Sequence, residues 1–191
     1  MKRATARKTA KDQRKLMADL GAGVAAKVDV PAEPHAVFAA LCEVMSERRG
    51  GRPVTLITRA FPENMADTTG LWLDVQDADV IVIEENLSPD HQLVVLGHEL
   101  WHMHAGHCGH DLGNAAVTTR AALSDQIEWA QLARHIATRS HSNQEDELEA
   151  EGFGLLLSSR MAGWLAVPGA RRLDDVARRI GVSLGYPGAQ G

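Results

Sequence analysis

Cysteine is scarce: the 191 residues include two, Cys42 and Cys108. At most one disulfide can form, which excludes the stapled framework of a small secreted domain and makes a reduced, cytoplasmic setting the expectation. Long apolar runs are missing as well. Stretches such as Val80 to Ile83 and Leu93 to Leu96 fall far short of the roughly 20 residues a membrane helix requires. The segment Leu16 to Ala26, which follows a basic start, is broken by Asp19 and is otherwise mostly Ala and Gly. It reads as a surface helix rather than a signal sequence. No internal repeat is visible.

What is present suits a folded chain. Apolar residues make up 45% and charged residues 24%, which excludes a disordered or collagen-like polymer. The length fits one domain, alone or with appendages. The net charge of −5 conceals an asymmetry: the first fifteen residues carry seven Lys/Arg against one Asp, a net +6, which leaves −11 for the remainder. Such an arm can hold nucleic acid, but a terminal charge run is more often a solvated tail, and that is the reading taken from sequence.

Val30-Pro31-Ala32-Glu33-Pro34 reads as a linker. Val37, Phe38, Leu41, Val44 and Met45 then recur at helical spacing, with Pro34 in the first turn and Gly50-Gly51 as the stop. Cys42 falls inside this helix as a small core residue. Three β signals follow, at Val54 to Ile57, Leu71 to Val75 and Val80 to Ile83, the last two close enough for an antiparallel hairpin. Ser88 and Pro89 are N-cap and first residue of a helix running through at least His102, with Leu93, Leu96, Leu100 and Met103 as its buried stripe. Further helical stretches are expected from about Ser124 to Thr138, from near Asn143 through Leu157, and around Leu173, Val176 and Ile180.

The chemistry concentrates in His98-Glu99-Leu100-Trp101-His102. Residues four apart on a helix stand one turn above each other, so the two imidazoles can reach one ion, while Glu99 projects about 100° away, beside the metal. A base acting on water belongs there. Random placement of nine His and twelve Glu produces this pattern in roughly 3% of such sequences, so the weight comes from context: a capped helix with a separate apolar stripe. A catalytic zinc site needs a third protein ligand and an open position. The acidic run Glu145 to Glu151 can supply it. Glu147 and Glu151 share a helical face, so one can ligate while the other orients a histidine. His104, His107, Cys108 and His110 form a competing cluster, and His135 or His141 could stabilise an oxyanion.

The hairpin, Asn86-Leu87-Ser88, the helix bearing His98-Glu99-Leu100-Trp101-His102 and the later Glu147-Leu148-Glu149-Ala150-Glu151-Gly152-Phe153 with Leu155-Leu156 together resemble the ImmA/IrrE-type zinc metallopeptidases. More narrowly, the chain is similar to actinobacterial members found beside helix-turn-helix regulators and labelled as toxin components. The resemblance covers about residues 34 to 161. It implies Glu147 as third ligand, through the pattern E-x-x-A-x-x-F ending at Phe153, with Glu151 in a supporting position. Trp101 and Gly154 replace smaller or different residues of the family pattern, and 44 residues separate His102 from Glu147.

The expected fold is α+β, a small three-stranded sheet packed on the zinc helix with further helices around it. The expected organisation is a basic arm and helix at 1–30, a metallopeptidase-like body at 31–165, and a short helix and tail at 166–191, with residues 1–27 dispensable for metal binding. The expected function is zinc-dependent peptide hydrolysis, with His98, His102 and Glu147 on the metal, Glu99 as base and a helix-turn-helix regulator as substrate or partner. The alternative is a non-catalytic zinc module that binds a regulator or nucleic acid.

Overall fold

A computed structural model describes residues 2–65, 68–75, 78–106 and 144–166, without side-chain detail at 2–7, 64 and 75. The helices expected around 124–138 and 173–180, and the cluster His107, Cys108 and His110, lie outside these residues. Among the described residues the chain runs α1 (Lys2–Ala25), α2 (Pro34–Arg48), β1 (Val54–Arg59), β2 (Gly70–Val75), β3 (Ala78–Glu84), α3 (Pro89–Ala105) and α4 (Gln144–Met161). This is the α+β class, and no described helix is long and apolar enough to cross a membrane.

The three strands form one mixed sheet in the order β1-β3-β2. β2 and β3 pair antiparallel from Gly70↔Ile83 to Val75↔Ala78, as the hairpin reading requires. β1 joins the other side of β3 in parallel, from Val54↔Asp79 to Arg59↔Glu84. The central strand is buried on both faces, which explains its unbroken apolar run. Ile81 and Ile83 face the helices with Trp72, while Val80 and Val82 pack with Leu71, Leu73 and Met65 on the reverse. One residue of register would exchange the two sets.

Helix α3 follows its capping signals. Ser88 is extended and its hydroxyl accepts from the His91 N–H at 3.4 Å, Pro89 opens the helix, and Gly106 closes it in the left-handed region. Its stripe of Leu93, Leu96, Leu100 and Met103 is at most 1% exposed. Cys42 is buried in α2, and burial pushes its thiol up to about 12, as an inert core residue should behave.

A buried charge fixes the sheet to the helix ends. Asp79 is fully buried and accepts from Arg49 Nε at 2.8 Å, Arg52 Nε at 3.0 Å and Trp72 Nε1 at 2.9 Å. Arg49 Nη1 also donates to the Met103 carbonyl at 3.2 Å, in the last turn of α3. One carboxylate thus ties the end of α2 and the start of β3 to α3. A buried anion is tolerated only when satisfied in this way.

Two expectations need correction. Helix α1 is not a surface helix: Leu16, Leu20 and Val24 are fully buried in the main core. Thr9 Oγ1 donates to Glu149 Oε1, and Gln13 Nε2 to the Glu149 carbonyl, each at 2.9 Å. The proline-rich segment is likewise tied down, because Ala32 bridges to Leu165, with Ala32 N–H donating to Trp164 O at 2.8 Å and Ala166 N–H to Ala32 O at 2.7 Å. The second half of α1 and the segment after it therefore share the core of the body, and dispensability of residues 1–27 does not follow. The spacing of Leu16, Leu20 and Val24 was the signal, diluted by Ala and Gly.

Leu20→Ala should lower the unfolding free energy by about 2–5 kcal/mol, the range for truncating a buried leucine. Urea unfolding followed by tryptophan fluorescence measures it. A change within about 0.5 kcal/mol, as on a surface helix, would contradict the packing described.

Candidate metal centre

The site depends on how closely α3 and α4 approach. They run antiparallel, with Ser158 Oγ donating to the Asp90 carbonyl at 3.5 Å near one end and Glu147 beside His98 and His102 at the other. The buried face of α4 is Ala150, Phe153, Gly154, Leu157 and Met161. Midway, Gly97 and Gly154 meet. A Cβ on Gly154 would lie 2.4 Å from the Val94 carbonyl oxygen, and one on Gly97 would lie 2.9 Å from Gly154 Cα. Neither separation is tolerable for backbone atoms, so the crossing exists only because both side chains are hydrogen. Gly154, which departs from the family pattern, is the residue this packing demands.

The result is a convergence of three donors. His98 Nε2 and His102 Nε2 are 2.9 Å apart, and Glu147 Oε2 lies 3.4 Å from the first and 3.5 Å from the second. These three residues form the group that could hold a metal ion among the described residues. A tetrahedral ion with bonds of about 2.0–2.1 Å needs ligand atoms about 3.3–3.4 Å apart. The triangle is of that size, a little tight between the imidazoles. The chemistry of the donors, two imidazole nitrogens and one carboxylate, suits zinc with a position left open.

Electrostatics favour the binding form of the ligands. Burial pushes the His98 imidazole below its ordinary value, against the opposing charges of Glu147 and Glu151. A neutral ring keeps its lone pair at neutral pH, which metal binding requires. Glu151 is exposed and reaches the site as a charge acting on His98.

Glu99 lies outside the three-donor group. It is 8% exposed and lies against the first residue of β2, where a Cβ on Gly70 would sit 2.9 Å from Glu99 Oε1 and 2.3 Å from Val95 Cγ1. Gly70 thus gives the Glu99 carboxylate its room between α3 and an edge strand. Sequence reasoning missed Gly70, Gly97 and the role of Gly154, because a lone glycine in a strand or helix reads only as a weak breaker. Trp101, between the two histidines, is 3% exposed and packs on Phe153 with ring centroids 5.3 Å apart. His104 is exposed beside Trp101, outside the three-donor group.

No family model matches the chain, and no curated protein or solved structure is similar to it at a significant level.

Gly154→Ala should destabilise the fold by about 1–3 kcal/mol through overpacking against the Val94 carbonyl. Gly152→Ala is the control, since a Cβ there meets nothing within 4 Å; it should be neutral or stabilising by up to about 1 kcal/mol. Chemical denaturation of both variants checks the pair, and equal effects would remove the close crossing as the constraint.

In the metal-free protein, the His98 proton should titrate below 6.5, its ordinary value. The unfolded chain then takes up that proton first, so this group's contribution to stability is present above pH 6.5 and is lost progressively as pH falls below it. NMR titration of the ring protons reads the midpoint; one above 6.5 would mean that the carboxylates outweigh burial.

Proposed function

We propose that the chain is a zinc-dependent peptidase of the ImmA/IrrE type. The observation that carries this reading is the meeting of His98, His102 and Glu147 at one point, with a buried carboxylate, Glu99, on the next position of the same helix. A purely structural ion has no use for a base beside it, which is what separates this reading from a zinc module that only binds.

His98, His102 and Glu147 would hold zinc, which when bound would supply Lewis acidity toward a carbonyl and a water. Glu99 accepts a proton from the attacking water as the new C–O bond forms. The same carboxylate then delivers that proton to the amide nitrogen as the C–N bond breaks, so it ends as it began. Gly70 keeps the Glu99 side chain at the edge of β2, and among the described residues β2 is an outer strand of the sheet. An extended peptide added along that edge would pass beside Glu99, with main-chain hydrogen bonds fixing its register. Extended geometry suits a loop of a folded protein better than a helix. On the resemblance drawn from the motif, the substrate is a helix-turn-helix regulator, and the setting is the cytoplasm.

Glu99→Gln should keep metal and fold while lowering cleavage by about 10² to 10⁴, the usual cost of losing a general base. The measurement is digestion of a peptide library read by mass spectrometry, with wild type and variant at equal zinc content. Bonds cut by the wild type and spared by the variant support the peptidase. Equal cutting by both, or none by a zinc-loaded wild type on peptides and on helix-turn-helix regulators, would leave the binding module.

A further inference from the structure

Six of the chain's 20 Lys and Arg residues fall on one side of one helix. Residues 1–15 carry a net +6, against −11 for everything else. As a tail this would mean little, but from residue 9 onward α1 is anchored by Thr9, Gln13, Leu16, Leu20 and Val24. At 100° per residue, Lys8, Lys11, Arg14 and Lys15 fall within about 120° of arc, centred opposite that anchoring stripe. All four are exposed. Positions 3 and 7, both arginine, continue the same face by helical register.

We propose that the outward face of α1 binds the phosphate backbone of nucleic acid without reading its sequence. From position 3 to 15 the face is about 18 Å long at 1.5 Å per residue, enough to follow several phosphates. Lys15 is shared with Asp19 at 2.8 Å, whereas Lys8, Lys11 and Arg14 have no ion pair among the described residues. The composition of the face decides the class of partner. A protein partner needs apolar or aromatic anchors at the centre of the contact. Among the described side chains of α1 the exposed apolar residues are alanines, and α1 contains no aromatic residue. A membrane needs an exposed apolar stripe below the charges, and that stripe is already in the core. A phosphate backbone needs only rigidly held cations, and without aromatics to stack on bases the contact carries no sequence information. The rest of the molecule, being acidic, repels the same ligand and confines it to α1.

The test is fluorescence anisotropy of the full chain with two labelled 30-base-pair DNA duplexes of unrelated sequence. The expected dissociation constant is about 10⁻⁴ to 10⁻⁶ M near 0.15 M salt, equal for both duplexes. Log affinity should fall with log salt at a slope of about −3 to −5, corresponding to four or five phosphates. The combined variant Arg7→Glu, Lys8→Glu, Lys11→Glu and Arg14→Glu should bind at least tenfold more weakly with unchanged circular dichroism. Absence of binding at 50 mM salt, an unchanged affinity in the folded variant, or displacement of the duplex by polyglutamate more readily than by unlabelled duplex would each overturn the proposal, the last in favour of an acidic protein. Should the variant misfold, the salt slope of the wild type decides alone: a slope near zero rejects the backbone contact.

Discussion

The close crossing of α3 and α4 is the constraint from which the rest of the site follows. Two glycines, Gly97 and Gly154, bring one backbone against the other, and only that approach lets the Glu147 carboxylate stand within 3.5 Å of both imidazoles. A helix pair separated by ordinary side chains keeps its axes about 8–10 Å apart, and larger side chains at these positions would carry Glu147 away from the histidines. The buried face of α4, with Ala150, Phe153, Leu157 and Met161, continues on either side of the contact, and Phe153 packs on Trp101 of α3. Packing of this kind is rigid, so it fixes ligand positions better than a loop could.

The opposite side of α3 is held by different physics. Asp79, buried and paired with Arg49 and Arg52, joins the sheet to α2, and Arg49 extends the link to the end of α3. The sheet in turn presents β2 to Glu99 through the gap at Gly70. Two carboxylates on neighbouring elements thus acquire separate surroundings: Glu147 beside two imidazoles, Glu99 beside an edge strand. The proposed division of labour between ligand and base depends on that separation.

Much of this was legible in the sequence, and for physical reasons. The capping residues of α3, its apolar stripe and the spacing of His98 and His102 are local properties of one helix. The short gap between β2 and β3 declared a hairpin. The parallel pairing of β1 was not legible, because nothing local distinguishes which edge of the hairpin a third strand joins. Helix α1 looked like an appendage because its core contacts are few, spaced four apart and surrounded by alanine. Glu147 was singled out by resemblance; spacing alone left Glu151 and its neighbours equal to it. What separates them is the rotation of α4 about its axis, set by Gly154 meeting Val94, and rotation is a tertiary property.

The central claim is that His98, His102 and Glu147 act together as one metal centre. Elemental analysis of the purified chain, stripped of metal and reloaded with zinc, tests it most directly, with Glu147→Ala measured beside it. The account predicts about one tightly held zinc per chain in the wild type, and loss of tight binding in a Glu147→Ala protein that remains folded. A folded Glu147→Ala protein with full zinc content, or a wild type that takes up none, would contradict it.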